Sequence, residues 1–361
     1  MEKYRVGIVG ATGMVGQRFI SLLKDHPWFE VNCVAASARS AGKTYREAVG
    51  ERWAFSWEIP EKVAGMTVVD AADIDEVSKH VDFVFCAVDM KKDEIRALEE
   101  AYAKHEIPVV SNNSACRGIE DVPMVVPEIN ADHLAVIEAQ KKRLGTKNGF
   151  IAVKPNCSIQ SYVPALTPLL DFEPEKVSVC TYQAISGAGK TFKTWPEMVD
   201  NVIPYIGGED EKSENEPLKL WGHVEDGKIV NAALPVISAQ CLRVACSDGH
   251  MAAVSVSFKK KPTIEQIKER WANYETEAQR LELPSAPKPF LQYFEDPSRP
   301  QTRLDRDSQH GFGVSIGRLR EDKLFDYRFV CLSHNTVRGA AGGGILTAEL
   351  LCRKGYIPHR V

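Results

Sequence analysis

Tyr4-Arg5-Val6-Gly7-Ile8-Val9 is a short apolar run that breaks at once into Gly10-Ala11-Thr12-Gly13-Met14-Val15-Gly16. Such a run reads as a strand buried on both faces, as in a parallel sheet covered by helices. Just past the glycines, Val15, Phe19, Leu22 and Leu23 recur at helical spacing. Strand, glycine loop and helix in immediate succession commit the N-terminal half to a parallel α/β sheet with a ligand at its C-terminal edge. Glycine lets the backbone approach a pyrophosphate, whose charge then sits on the N–H groups of the helix N-terminus. The spacing is GxxGxxG, a variant of GxGxxG. A bare glycine triplet often means only a tight turn, and the flanking strand and helix supply the specificity. Gly10, Ala11, Thr12, Gly13, Met14, Val15 and Gly16 are therefore expected to bind a dinucleotide.

The next strand sharpens the choice of cofactor. It runs through 29–36, and its end is where an NAD enzyme places an acid for the ribose 2′-hydroxyl. Here the chain reads Ser37-Ala38-Arg39-Ser40-Ala41-Gly42-Lys43. Arg39 and Lys43, with the hydroxyls of Ser37 and Ser40, would attract a 2′-phosphate that a carboxylate would repel. The preferred cofactor is NADP; a solvated basic loop would give the same letters. Further α/β units follow: a strand at 81–88, a charged helix at 91–104 and a strand at 107–110. The last leads into Ser111-Asn112-Asn113-Ser114-Ala115-Cys116-Arg117. Arg117 beside Asn113 and Ser114 suits an anion, and equally suits a surface turn.

The chain has 361 residues, room for about two domains. A net charge of −4 and a pI near 6.2 point away from nucleic acid and anionic membranes. No apolar run is long enough to span a bilayer, and the first residues lead straight into a strand with no signal-peptide pattern, so a cytoplasmic location is expected. The 9 cysteines form no CxxC pair and no Cys/His metal spacing, which argues against a disulfide scaffold or a metal site.

The texture changes after a second short apolar run, Phe150-Ile151-Ala152-Val153, which leads into Lys154-Pro155-Asn156-Cys157-Ser158. A cysteine just past a strand, at a Pro-Asn corner, has the anchored backbone a nucleophile needs. Alone it reads better as a small buried hydrophobe, until other features join it. Strands are expected at 177–183, 229–237, 241–247, 252–258 and 326–333, a helix at 263–281, and a loop at 284–300. Ser186-Gly187-Ala188-Gly189 is a flexible loop that suits a cofactor. Arg243 to Gly249-His250 ends a strand, which would project His250 from a turn. Asn335 opens a glycine-rich start to a last helix at 345–352.

Taken together these segments resemble the aspartate-β-semialdehyde dehydrogenase family, in its archaeal/fungal-type branch, nearly end to end. The resemblance rests on Gly10 to Gly16, Ser114 with Arg117, Pro155 to Ser158, Gln183 with Ser186 to Gly189, Glu216 with Lys219, Arg243 to His250, and Asn335 to Gly342. Ala245 stands where many bacterial members carry proline, a mark of the branch. The resemblance implies a Rossmann-type dinucleotide-binding domain, residues 1–156 plus 335–361, and an α+β catalytic and dimerisation domain with a mixed sheet, residues 157–334. It implies reversible, NADP-dependent reductive dephosphorylation of L-4-aspartyl phosphate to L-aspartate 4-semialdehyde, in lysine, methionine and threonine synthesis. By the same resemblance Cys157 is the nucleophile, His250 the general acid/base, Asn156 an oxyanion donor and Gln183 a substrate-orienting group. Arg243 would hold the α-carboxylate and Glu216 the α-ammonium, while Arg117, Lys219, Asn113 and Ser114 would hold phosphate. Ser186, Gly187, Gly189 and Asn335 would complete the cofactor site. Without the resemblance, Glu216 and Lys219 read as a surface i,i+3 ion pair. A homodimer or a tetramer of dimers is implied. The alternative reading is a malonyl-CoA reductase-like acyl-thioester reductase.

Overall fold

The computed structural model describes residues 2–359. Its first half is a six-stranded, all-parallel sheet of β1 (Tyr4–Val9), β2 (Phe29–Ala36), β3 (Val69–Asp70), β4 (Phe83–Cys86), β5 (Val109–Ser111) and β6 (Ile151–Val153), in the order β3-β2-β1-β4-β5-β6. The order reverses between β1 and β4, and ligands of open α/β sheets bind at the strand C-termini beside such a reversal. The glycine loop lies there. Gly10 has φ +90°, and a Cβ on it would fall 2.2 Å from the Ala87 carbonyl oxygen. A Cβ on Gly16 would fall 2.3 Å from the Gly10 carbonyl oxygen, so the helix Met14–Leu23 lies against its own loop only because both residues are glycine.

That helix buries Phe19, Ile20 and Leu23 against Val6, Ile8, Phe83 and Phe85. The C-terminal helix Gly342–Arg353 adds Ile345, Leu346 and Leu350 to the same cluster. The end of the chain thus packs on the N-terminal sheet.

The second half contains β7 (Pro174–Gln183), β8 (Val202–Ile203), the separate hairpin β9 (His223–Glu225) and β10 (Lys228–Val230), β11 (Val236–Val244), β12 (His250–Phe258), β13 (Leu291–Phe294), β14 (Val314–Glu321) and β15 (Tyr327–Ser333). All but the hairpin form one mixed sheet, β13-β14-β15-β12-β7-β11-β8, with β7–β11 and β13–β14 parallel. Val177, Val179, Val254, Val256, Ile316 and Phe329 make its buried face. Trp271, on the helix Ile264–Ala272, closes that face and donates its indole N–H to the Ala165 carbonyl at 2.7 Å. Among the described residues no helix is long and apolar enough to cross a membrane, and no group of three His, Cys, Asp or Glu side chains could hold a metal ion.

Three expectations need correction. The runs 229–237 and 241–247 are not two strands: β11 occupies their middle, and the first run is cut by the hairpin and by Pro235. The helix expected at 263–281 breaks at Asn273, and a second N-cap at Thr276, with its hydroxyl accepting from the Gln279 N–H, starts a short new turn. The expected loop 284–300 contains β13, and β14 went unread.

Candidate active site

Cys157 is presented by the end of β6. The Lys154 N–H still bonds to the Ser111 carbonyl at 2.9 Å, so the ladder holds until Pro155 breaks it. The Asn156 side chain then accepts from both the N–H and the hydroxyl of Ser158 at 2.7 Å and fixes the corner. A turn of π-helix, Val337–Ala341, covers the other side. A Cβ on Gly339 would fall 2.9 Å from the Cys157 Cβ. The thiol is half-buried and lines a cavity of about 290 Å³.

His250 opens β12 and does not project from a turn: Gly249, at φ +99°, makes the bend and β12 starts at the ring itself. Its Nε2 lies 3.5 Å from the Cys157 Sγ, and its Nδ1 accepts the Ala184 N–H at 3.1 Å. Burial, then the Arg243 charge, push the His250 pKa down to about 3, against the pull of the Gly249 carbonyl. The ring is therefore neutral at physiological pH. The Ala184 bond assigns it the tautomer with hydrogen on Nε2, facing the sulfur. For Cys157, burial and then Glu209 raise the pKa, while Lys154, Arg117 and Arg243 lower it.

Arg243, near the end of β11, is buried and donates from Nη1 to the Ala184 carbonyl at 2.6 Å. Gly187 is where it meets the histidine: a Cβ there would fall 2.9 Å from Arg243 Nη1 and 3.0 Å from His250 Nε2. Ser186, Gly187, Gly189 and Asn335 line the same cavity. The Asn335 amide donates to Ser186 Oγ at 2.8 Å and accepts the Gly249 N–H at 2.8 Å, which ties the loop to the histidine's turn.

The helix Glu209–Leu220 carries two ExxK spacings, Glu209/Lys212 and Glu216/Lys219. The structure places the first pair on the cysteine's cavity, and the second differs from expectation. Lys219 donates to the carbonyls of Arg117, Ile119 and Val122 at 2.7, 2.7 and 3.0 Å, so all three ammonium hydrogens are spent on backbone. Burial pushes its pKa down to about 8. Glu216 accepts from Arg117 Nη1 at 2.9 Å and from the Asn156 N–H at 2.5 Å. It shapes the site and does not face the cavity; nor is the pair a surface salt bridge. Glu209 is the carboxylate beside the thiol. Burial opposes its ionisation, but Lys212 at 2.8 Å, the Asn156 amide nitrogen at 3.0 Å from each carboxylate oxygen and Gln183 at 3.3 Å hold its pKa below the usual carboxylate range. Asn156 lines the cavity with its amide nitrogen bridging the two Glu209 oxygens, and Gln183 lies behind Glu209.

Asn113 is also turned away. Its amide donates to Glu99 at 3.1 Å and to the Cys86 sulfur. Its neighbour Asn112 lines the cavity instead, and among the described residues the nitrogen and oxygen of its buried amide both lack a hydrogen-bond partner. Ser114 and Arg117 do face the cavity, as do Met14 and Val15 from the glycine loop. Sequence reading missed Arg18, whose guanidinium stacks 4.2 Å from the centre of the Phe55 ring and borders the same space. It also passed over Lys154, taken only as the start of the cysteine motif.

A second cavity of about 710 Å³ is lined by Gly10, Thr12, Gly13, Ser37, Arg39, Ser40 and Lys43, with Arg52 as an unforeseen cation. These groups fit a pyrophosphate on the loop and a 2′-phosphate on the basic turn. Ala11 and Gly16 are enclosed behind them: the Ala11 carbonyl accepts the Tyr45 hydroxyl at 2.8 Å, and Gly16 packs on the loop. Their part is structural.

Comparison with known proteins agrees with this geometry. Residues 5–137 match the semialdehyde dehydrogenase NAD binding domain, and residues 166–338 match the semialdehyde dehydrogenase dimerisation domain. The aspartate-semialdehyde dehydrogenase of Archaeoglobus fulgidus is 43% identical, covering 98% of this chain and 100% of that protein. That of Schizosaccharomyces pombe is 45% identical over 98% and 99%. A crystal structure of the Candida albicans enzyme with NADP superposes with a TM-score of 0.88 at 39% identity, covering 99% and 100% of the two chains.

Proposed function

Because the chain belongs to the aspartate-semialdehyde dehydrogenase family, we propose that Cys157 is the nucleophile of an NADP-dependent reductive dephosphorylation of L-4-aspartyl phosphate to L-aspartate 4-semialdehyde. The observation that carries this reading is the 3.5 Å approach of His250 Nε2 to Cys157 Sγ in a cleft that also holds Glu209, Lys212 and Arg117. The Cys157 thiolate attacks the acyl carbon, the carbon–oxygen bond to phosphate breaks, and a thioester forms on the sulfur. Bound NADPH supplies the hydride that reduces this thioester. The Nε2–H of neutral His250 stabilises the resulting thiohemiacetal oxyanion. Collapse of that oxyanion releases the aldehyde and returns the thiolate, so His250 serves as a donor and need not take up a proton. This revises the general acid/base role expected from the resemblance.

Glu209 meets the substrate α-ammonium, and Arg243 offers its second nitrogen to the α-carboxylate. Lys212, Arg117 and Ser114 receive the phosphate. Arg39, Lys43, Ser37 and Ser40 hold the 2′-phosphate of NADP, and the unpartnered Asn112 amide suits a carboxamide. The ionised Glu209 also disfavours a malonyl thioester, which has no ammonium to pair with it. The dinucleotide unit is 1–156 with 335–361, supported by the packing of the last helix on its sheet; the catalytic and dimerisation unit is 157–334. The nine unpaired cysteines suit the reducing cytosol.

The test is reduction of NADP⁺ by L-aspartate 4-semialdehyde with and without phosphate, with Cys157→Ser beside it. Activity that needs phosphate and vanishes in the variant is expected. A folded wild-type protein without phosphate-dependent turnover would overturn the assignment.

A further inference from the structure

Lys154 is one of two buried lysines at the junction of the two units, and the mechanism above gives it no task. Its residue is only 3% exposed. The other, Lys219, spends every ammonium hydrogen on carbonyl groups. Among the described residues Lys154 has a single hydrogen-bond partner, the carbonyl of Pro155, next in the chain. Its side chain lines the cavity that holds Cys157, and the C-terminal helix packs over its stem: a Cβ on Gly343 would lie 3.7 Å from the Lys154 Cε. A buried ammonium with spare donors is costly unless an anion is close. The anion at hand is the thiolate, three residues on across the same Pro-Asn corner.

The site needs such a cation. His250 faces the sulfur as a neutral Nε2–H, so it does not supply the positive charge that a cysteine–imidazolium pair would. Ionised Glu209 on the cavity wall works against the thiolate. Arg117 is tied to Glu216 and to the Asn112 carbonyl, and Arg243 to the Ala184 carbonyl. We propose that Lys154 is the positioned cation that keeps Cys157 in its thiolate form. The proposal rests on the reading of Cys157 as the nucleophile, and Lys154 acts through that sulfur, as a charge-positioning residue.

The two charges favour each other, and burial works against both. Burial and then Arg117 lower the Lys154 pKa to about 7, while Cys157, Glu216 and Glu209 act to raise it. Burial and then Glu209 raise the Cys157 pKa above the ordinary thiol value, and Lys154, first among the cations, pulls against them with Arg117 and Arg243. The two groups therefore titrate as a pair, and the ion-pair form is what each lends the other.

The experiment is the rate of Cys157 alkylation by iodoacetamide as a function of pH, followed on the Cys157 peptide by mass spectrometry, for wild type, K154M, K154Q and K154R. Methionine keeps the stem's volume; glutamine keeps a donor for the Pro155 carbonyl should methionine fail to fold. In K154M or K154Q the midpoint is expected to move up by about one pH unit, a roughly tenfold slower reaction at a fixed pH below it. In K154R, which cannot lose its charge, the midpoint is expected at or below that of wild type. A merely structural lysine would change thermal stability and leave the midpoint in place. An unshifted midpoint in whichever neutral variant folds overturns the proposal, even where wild-type turnover remains phosphate-dependent. Loss of that turnover in wild type would sink the underlying reading separately.

Discussion

At the scale of single residues, the division of labour on one helix is the sharpest claim. Glu209 and Glu216 are seven apart, two helical turns, so they share a face and differ only in which end of the helix reaches the thiol. Replacing Glu209 by Gln removes a charge that pairs with the substrate ammonium. The KM for aspartate semialdehyde should rise about 10- to 100-fold, with the thermal midpoint little changed. Glu216→Gln instead releases Arg117 and the Asn156 N–H, and should lower the thermal midpoint while raising the KM less. Steady-state kinetics and melting curves of both variants decide the matter; equal KM effects would refute the assignment. The sequence could not make this choice, because both ExxK pairs obey the same spacing and only the tertiary path of the helix separates them. Asn112 and Asn113 pose the same problem in a loop. Successive side chains point opposite ways, and the buried Glu99 claims one of them. The corner at Cys157 was legible as a local turn closed by Asn156 on Ser158, but Glu209 and Glu216 also hold it from far along the chain, and the cysteine's role emerged only beside the other motifs.

At the scale of elements, the glycine loop and its helix behave as one piece. Gly→Ala inside a helix ordinarily stabilises by about 1 kcal/mol. Gly16→Ala should do the reverse, because its Cβ would fall 2.3 Å from the Gly10 carbonyl oxygen and 2.7 Å from the Ala11 Cα, both backbone atoms that cannot step aside. The helix must lift off the loop, so we expect a lower thermal midpoint and an NADP Kd weakened about tenfold or more, read by melting and by fluorescence titration. A stabilised G16A protein with unchanged NADP binding would show that the close packing is not needed. The elements that sequence recovered are those with a strong local signal: β1, its helix, β2 and the C-terminal helix. Those it misplaced lie in the second half, in the helix that breaks at Asn273 and in β11, β13 and β14 of the mixed sheet. There β11 straddles two expected strands, since the apolar run from Ala232 to Ile237 passes through Pro235 without marking where pairing begins. The register is set by β7, far away in the chain.

At the scale of the whole molecule, charge and exposed apolar surface each give an expectation. Burial pushes His250 to about 3, His334 to about 4 and His133 below the ordinary histidine value. Their folded pKa values lie under the unfolded value near 6.5, so the unfolded chain binds more protons between about pH 4 and 6.5. Stability contributed by keeping these rings neutral is full above 6.5 and is lost as pH falls through that window. Glu99, whose pKa burial raises, works in the opposite sense but is a single group. Melting midpoints should therefore drop steadily from pH 7 to pH 4.5, and a flat profile would contradict the buried neutral rings. The second expectation concerns the outer face and edge of the mixed sheet. Val199, Val202 and Tyr205 are 61%, 54% and 70% exposed, and they gather around β8, which pairs with the end of β11, in the segment that matches a dimerisation domain. A patch of large apolar side chains on a sheet edge invites association unless something covers it. A second copy of the chain is the natural cover, and a two-fold interface would place the same residues on both sides. Val202→Glu puts a carboxylate at the centre of that patch, on the edge strand β8, while leaving the buried face of β11 untouched. Light scattering should show the wild type as a dimer or larger and the variant shifted towards monomer at micromolar concentration. A wild type that is monomeric under those conditions would leave the patch without its partner and overturn the dimer.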